Sequence, residues 1–168
     1  MSEAIKVLFI DDEPDLCEMV KLALEGKGGY SVTTTTDPTA AESLFTQTQP
    51  DIVILDNVMP KLSGGDVAKK LKALMTERKF PVIMISGKGE FVYLKKSKEF
   101  KWMPNAPAVK TRGPLPDIKN SEELAKHYGV TRYATKPFTV DFLIEAMGEE
   151  LAKFVVRKKD ETDDTQII

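Results

Sequence analysis

Val7-Leu8-Phe9-Ile10-Asp11-Asp12-Glu13-Pro14 joins two signals. An apolar, β-rich run passes directly into three carboxylates, and a proline follows where a helix can begin. A continuous apolar run this short suits a strand covered on both faces, as in a parallel sheet layered by helices. Ile52-Val53-Ile54-Leu55 and Val82-Ile83-Met84-Ile85 repeat the pattern. Tyr30 to Thr36 is β-branched but more polar, which places it at a sheet edge. Arg132-Tyr133-Ala134-Thr135 is a short fifth strand.

Helical periodicity fills the intervals. Leu16, Val20, Ala23 and Leu24 share one helical face, and Gly26 to Gly29 ends that helix. Ala40, Ala41, Leu44 and Phe45 form a second, with Asp37 as a cap ahead of Pro38. Val67, Leu71, Leu74 and Met75 mark a third. Asn120-Ser121-Glu122-Glu123 reads as a capping box opening a fourth, through His127. Phe142, Leu143, Ala146, Leu151 and Val155 mark the last. Strand and helix alternate five times, which predicts an α/β three-layer sandwich with right-handed crossovers.

The spacing is uneven. Nineteen residues separate Ile10 from Tyr30, fourteen separate Thr36 from Asp51, and twenty-four separate Asp56 from Pro81, but forty-six lie between Ser86 and Tyr133. A helix with two loops needs only about 20. The surplus of about 25 falls within residues 88–119, an insertion between strand 4 and helix 4. That span holds eight Lys or Arg against three Asp or Glu. Its local charge of +5 leaves −7 for the rest of a chain whose net charge is −2. It also holds Phe91, Tyr93, Phe100 and Trp102, the one tryptophan, followed by Pro104, Pro107, Pro114 and Pro116. We expect Glu90–Lys101 to form a short helix or a β-hairpin, and the remainder an extended, proline-stiffened return. Aromatic and basic residues on a loop make Phe91, Tyr93, Phe100 and Trp102 candidate partner-binding residues.

Composition bounds the function. The 168 residues are 42% hydrophobic and 30% charged, values of a globular domain with its own core. We expect one domain over 1–157 and a flexible tail over 158–168. Net charge near neutral gives no general pull toward nucleic acid. The single cysteine, Cys17, excludes an internal disulfide framework and a cysteine-based zinc cluster. Without a membrane-length apolar run or a signal-like start, the expected location is cytoplasmic, with no membrane partner.

Function in a parallel sheet gathers at the carboxyl ends of its strands. Here those ends carry Asp11-Asp12-Glu13, Asp56, Ser86-Gly87 and Lys136-Pro137. Close carboxylates raise one another's pKa unless a cation intervenes. All-oxygen ligands suit Mg²⁺, which retains waters and often shares a phosphate. A carboxylate kept ionised by Mg²⁺ and a lysine can attack phosphorus and form an acyl phosphate. Each piece has a plainer reading. Asp11-Asp12 also suits a helix cap, Asp56-Asn57 ordinary loop positions, and Tyr133 simple core packing.

Taken together, Phe9-Ile10-Asp11-Asp12-Glu13-Pro14, Leu55-Asp56-Asn57-Val58-Met59-Pro60 with Gly64, Ile85-Ser86-Gly87 and Tyr133-Ala134-Thr135-Lys136-Pro137-Phe138 resemble the receiver domain of two-component response regulators. The resemblance covers about residues 4–87 and 120–156. It implies a CheY-like, flavodoxin-like fold with a five-stranded parallel sheet of order 2-1-3-4-5 and five helices. It implies that Asp56 accepts phosphate from a histidine kinase or histidine phosphotransfer protein in a phosphorelay. Mg²⁺ would be held by Asp11, Asp12, Asp56 and the backbone carbonyl of Val58. Ser86 and Lys136 would bind the phosphoryl group, the Lys136–Pro137 peptide would be cis, and Tyr133 would turn inward as Ser86 moves. Such a domain is not an enzyme beyond its own phosphorylation and dephosphorylation. With no room for an output domain after Phe154, a stand-alone regulator is expected, acting through an unknown downstream protein or a phosphorylation-dependent homodimer. Val58 offers no polar group to orient water, which predicts slow self-dephosphorylation. The rivals are a phosphorylation-independent binding module acting through 88–119 and a small phosphohydrolase using Asp56, against which the lack of an Asp at position 58 speaks. A flavin site fits poorly beside so acidic a first loop.

Overall fold

The computed structural model describes residues 3–75, 78–86, 90–94, 99–103 and 121–163; for Ser86, 90–94, 99–103, Ser121, Glu123 and 155–163 it describes the backbone alone. The order of elements is β1 (Ile5–Ile10), α1 (Pro14–Lys27), β2 (Tyr30–Thr35), α2 (Ala41–Thr48), β3 (Ile52–Asp56), α3 (Gly64–Ala73), β4 (Val82–Ser86), β5 (Glu90–Leu94), β6 (Glu99–Met103), α4 (Ser121–Tyr128), β7 (Arg132–Thr135) and α5 (Val140–Asp163). Five strands form one parallel sheet in the order β2-β1-β3-β4-β7, with the polar β2 at an edge. In receiver numbering this is the expected 2-1-3-4-5.

The central strands read as unbroken apolar runs because each face of the sheet is covered. Alternation sends Val7 and Phe9, Ile52 and Ile54, and Ile83 and Ile85 into a core with Cys17, Val20 and Leu24 of α1 and Leu143, Ala146 and Met147 of α5. Leu8 and Ile10, Val53 and Leu55, and Val82 and Met84 meet Phe45 of α2, Val67 and Leu71 of α3, and Leu124 of α4 on the other side. Two such cores fix the register of every strand, since a one-residue slip would exchange the faces.

Local signals set the boundaries. Pro14 opens α1, and Gly28 at φ 80° closes it. Asp37 accepts from the Thr39 amide and caps a short 3₁₀ turn, Pro38–Ala40, ahead of α2. Ser63 caps α3 by accepting from the Asp66 amide, while its hydroxyl donates to the Asp66 carboxylate. The insertion forms an antiparallel hairpin of β5 and β6, one of the two expected forms. The expected proline-stiffened return and the capping position Asn120 lie outside the described residues. Helix α5 runs on to Asp163, through part of the span expected to be a tail.

Candidate functional site

Two adjacent strands deliver the acidic cluster. Asp11 directly follows β1, Asp12 comes next, and Asp56 ends β3 beside β1 in the sheet. One carboxylate oxygen from each of Asp11, Asp12 and Asp56 lies within 4.8 Å of the others. Asp11 and Asp56 are buried while Asp12 is exposed, so the cluster opens to water on one side. Lys136, one residue past β7, closes it. Its Nζ lies 2.7 Å from Asp11, 2.9 Å from Glu13 and 3.7 Å from Asp56. The Lys136–Pro137 peptide is cis, as the resemblance implied.

This arrangement is electrostatically unbalanced. Burial, then the Asp11 charge, pushes the Asp56 carboxyl up to about 7, against the pull of Lys136. Burial also raises Asp11, with its hydrogen bond to Lys136 opposing. For Lys136 burial works toward a lower pKa, but the bonds to Asp11 and Glu13 and the Asp56 charge outweigh it and hold the ammonium above its ordinary range. One lysine therefore under-compensates the carboxylates crowded around it. An all-oxygen donor set with excess negative charge and an open side fits Mg²⁺ well. Asp11, Asp12 and Asp56 are the side chains that would hold it.

The loop after Asp56 is tightly built. The Asn57 amide donates to the Ile85 carbonyl at 2.8 Å, and the Gly64 amide donates to the Asn57 carbonyl at 2.8 Å. A Cβ on Gly64 would stand 2.3 Å from the Asp56 carbonyl oxygen, so this closure requires glycine. Val58, inside the loop, is exposed. Ser86 ends β4 and pairs with Thr135, which sets its backbone at the same sheet edge as Lys136. Tyr133 is already buried between the sheet and α4, at 5% exposure. It also lines a cleft of about 670 Å³ with Arg132, Phe138, Phe142 and Glu150.

The geometry thus brings Asp11, Asp12, Asp56 and Lys136 together. Phe91, Tyr93, Phe100 and Trp102 sit apart in sequence on the hairpin, Phe91 registered with Trp102 and Tyr93 with Phe100. Sequence reasoning gave no individual role to three neighbours of the site. Glu13 binds Lys136, Asn57 is 5% exposed, and Asn57 Nδ2 donates to the Tyr128 hydroxyl at 3.4 Å. For Glu13 the signal was its place in the acidic run. Tyr128 at the end of a polar helix carried none.

Comparison with known proteins agrees with this fold. A family model described as the response regulator receiver domain matches residues 7–102. The chain is 37% identical over 86 residues to the probable transcriptional regulatory protein TcrX of Mycobacterium tuberculosis, a match spanning 51% of this chain and 36% of that protein. The chain spans about a third of the length of the curated relatives it matches. Among solved structures, it superposes on a response regulator receiver domain protein from Clostridium thermocellum with a TM-score of 0.62 at 27% identity, covering 88% of this chain and 94% of that one. The chemotaxis protein CheY4 of Vibrio cholerae shares the fold, with a TM-score of 0.63 at 22% identity over 89% of this chain and 99% of that one.

Proposed function

The chain belongs to the response regulator receiver domain family, and from that premise we propose that Asp56 accepts a phosphoryl group from a phosphohistidine donor in a Mg²⁺-dependent step. The donor would be a histidine kinase or a histidine phosphotransfer protein. The observation that carries the reading is the meeting of Asp11, Asp12 and Asp56 within 4.8 Å, with Lys136 against them.

In this mechanism an oxygen of the ionised Asp56 carboxylate attacks phosphorus. The phosphorus–nitrogen bond to the donor imidazole breaks, its electron pair returning to nitrogen, and with a proton taken up on the other ring nitrogen the imidazole leaves neutral. Mg²⁺, when bound, neutralises charge on the phosphoryl oxygens. Asp11, Asp12 and Asp56 would hold it, together with the Val58 carbonyl. Lys136 exchanges part of its contact with Asp11 for a phosphoryl oxygen, Ser86 donates to another, and Tyr133 packs beneath as Ser86 moves. The product is an acyl phosphate that changes the protein's contacts, through a downstream partner or a second copy of the chain. Receiver domains are signalling domains rather than enzymes acting on a separate substrate.

Phosphoramidate, a small phosphorus–nitrogen donor, tests the reading. We expect labelling that needs Mg²⁺, is blocked by EDTA and is released by hydroxylamine, as an acyl phosphate must be. Labelling resistant to hydroxylamine would contradict it.

The hairpin favours a second reading, a binding module indifferent to phosphate. Its register gives Phe91, Tyr93, Phe100 and Trp102 one common face. Trp102 is the sole tryptophan, so its emission reports on the hairpin. A change on adding beryllofluoride and Mg²⁺ would tie the hairpin to Asp56. An unchanged spectrum would favour the independent module.

A further inference from the structure

Tyr128 touches both ends of the loop that follows Asp56. Its hydroxyl accepts from Asn57 Nδ2 at 3.4 Å, at the loop's first residue. Just past the far end, in the first turn of α3, a Cβ on Gly65 would lie 3.2 and 3.3 Å from its ring carbons, so a side chain there would press the ring aside by a few tenths of an ångström. The same two ends are joined by the Gly64 amide donating to the Asn57 carbonyl. The ring is itself held, stacked on Tyr133 at 6.0 Å and 12°, with His127 edge-on at 4.9 Å. A side chain fixed on one side and gripping both ends of a loop on the other sets that loop's shape.

We propose that Tyr128 is a positioning residue for the metal site: by gripping Asn57 and Gly65 it holds the 57–64 loop so that the Val58 carbonyl is presented toward Asp11, Asp12 and Asp56. The inference rests on the reading of the acidic cluster as a Mg²⁺ site and adds a residue that contacts neither the metal nor the phosphoryl group. Metal affinity falls steeply when outer partners that orient the ligands are lost. Tyr128 acts in this way through the backbone, from the end of a helix remote in sequence.

The test uses the full chain and Mn²⁺, counted by its free-ion EPR signal and displaced by Mg²⁺. Asp12→Asn identifies the binding that belongs to the acidic site. Tyr128→Phe keeps the ring and its stacking and removes the hydroxyl. We expect metal affinity to fall by roughly 2- to 12-fold, the span of one modest hydrogen bond, with the melting temperature of the metal-free protein little changed. A merely structural tyrosine would show the reverse, a lower melting temperature with unchanged affinity, and that overturns the inference. Gly65→Ala, which presses on the ring from the other side, serves as the second variant. It should also weaken metal binding, although alanine suits a helix better than glycine. Wild-type protein that takes up no metal removes the Mg²⁺ reading and this inference with it. Wild-type and both variants binding alike removes the inference alone.

Discussion

Asp56 is held where its charge is unwelcome, and that strain is readable by pH. Its carboxyl is pushed to about 7 by burial and by Asp11, against 3.8 for the ordinary group. Between those values the folded protein holds a proton that the unfolded chain releases. Stability is therefore lost as pH rises across this window, the reverse of a salt-bridged carboxylate. Asparagine cannot ionise, so Asp56→Asn should match wild type near pH 4 and exceed it at pH 8, by at most about 4 kcal/mol. Thermal melts without Mg²⁺ at the two pH values check this, and a gap that does not widen would refute it. Val58 supplies the second prediction at this scale. It is exposed and apolar two residues after Asp56, with nothing to orient an attacking water. Val58→Asn keeps the backbone carbonyl and adds such a group. We expect the acyl phosphate to decay several-fold faster, followed by loss of hydroxylamine-sensitive label. Individual residues were legible where polar groups interrupt apolar runs. Asp11 and Asp56 announce themselves in this way, and Lys136 by standing before Pro137 at a strand end. Tyr128 does not, because its role comes from a contact with Asn57, 71 positions away.

Elements place those residues, and glycine is decisive at one junction. At Gly64 a Cβ would stand 2.3 Å from the Asp56 carbonyl oxygen and 2.7 Å from the Asn57 Cα, both main-chain atoms that cannot swing aside. Gly64→Ala should cost about 1–3 kcal/mol by overpacking and slow phosphorylation of Asp56, which denaturant melts and label uptake measure separately. The strands were legible because apolar runs of this length with covered faces have few alternatives. The face each residue takes also follows from simple alternation, as Val7 and Leu8 illustrate. The hairpin was only half legible. Glu90–Leu94 and Glu99–Met103 mix charged with aromatic residues, and Lys95-Lys96-Ser97-Lys98 between them contains none of the Asn-Gly or Asp-Gly pairs that announce a tight turn. The end of α5 was likewise only partly legible. The acidic stretch Asp160 to Asp164 suggested a tail over 158–168, yet Lys and Glu are also good helix formers and α5 runs to Asp163.

At the scale of the whole molecule, the parallel sheet is complete without the insertion. Strands β4 and β7 pair directly, from Ile83 with Arg132 to Ser86 with Thr135. The edge is secured elsewhere: Glu150, only 1% exposed, accepts from Arg132 and Lys153, each at 2.9 Å. Replacing residues 88–119 by a short Gly-Ser linker should therefore leave a folded protein that still labels on Asp56. Circular dichroism and label uptake check this, and an unfolded product would show that the insertion belongs to the core. No helix among the described residues is long and apolar enough to cross a membrane. The central claim concerns one atom group, and it is tested most directly by intact-mass spectrometry after incubation with acetyl phosphate and Mg²⁺, wild type beside Asp56→Asn. The account predicts one added phosphoryl group on wild type and none on the variant. Equal labelling of both, or of neither, would contradict it.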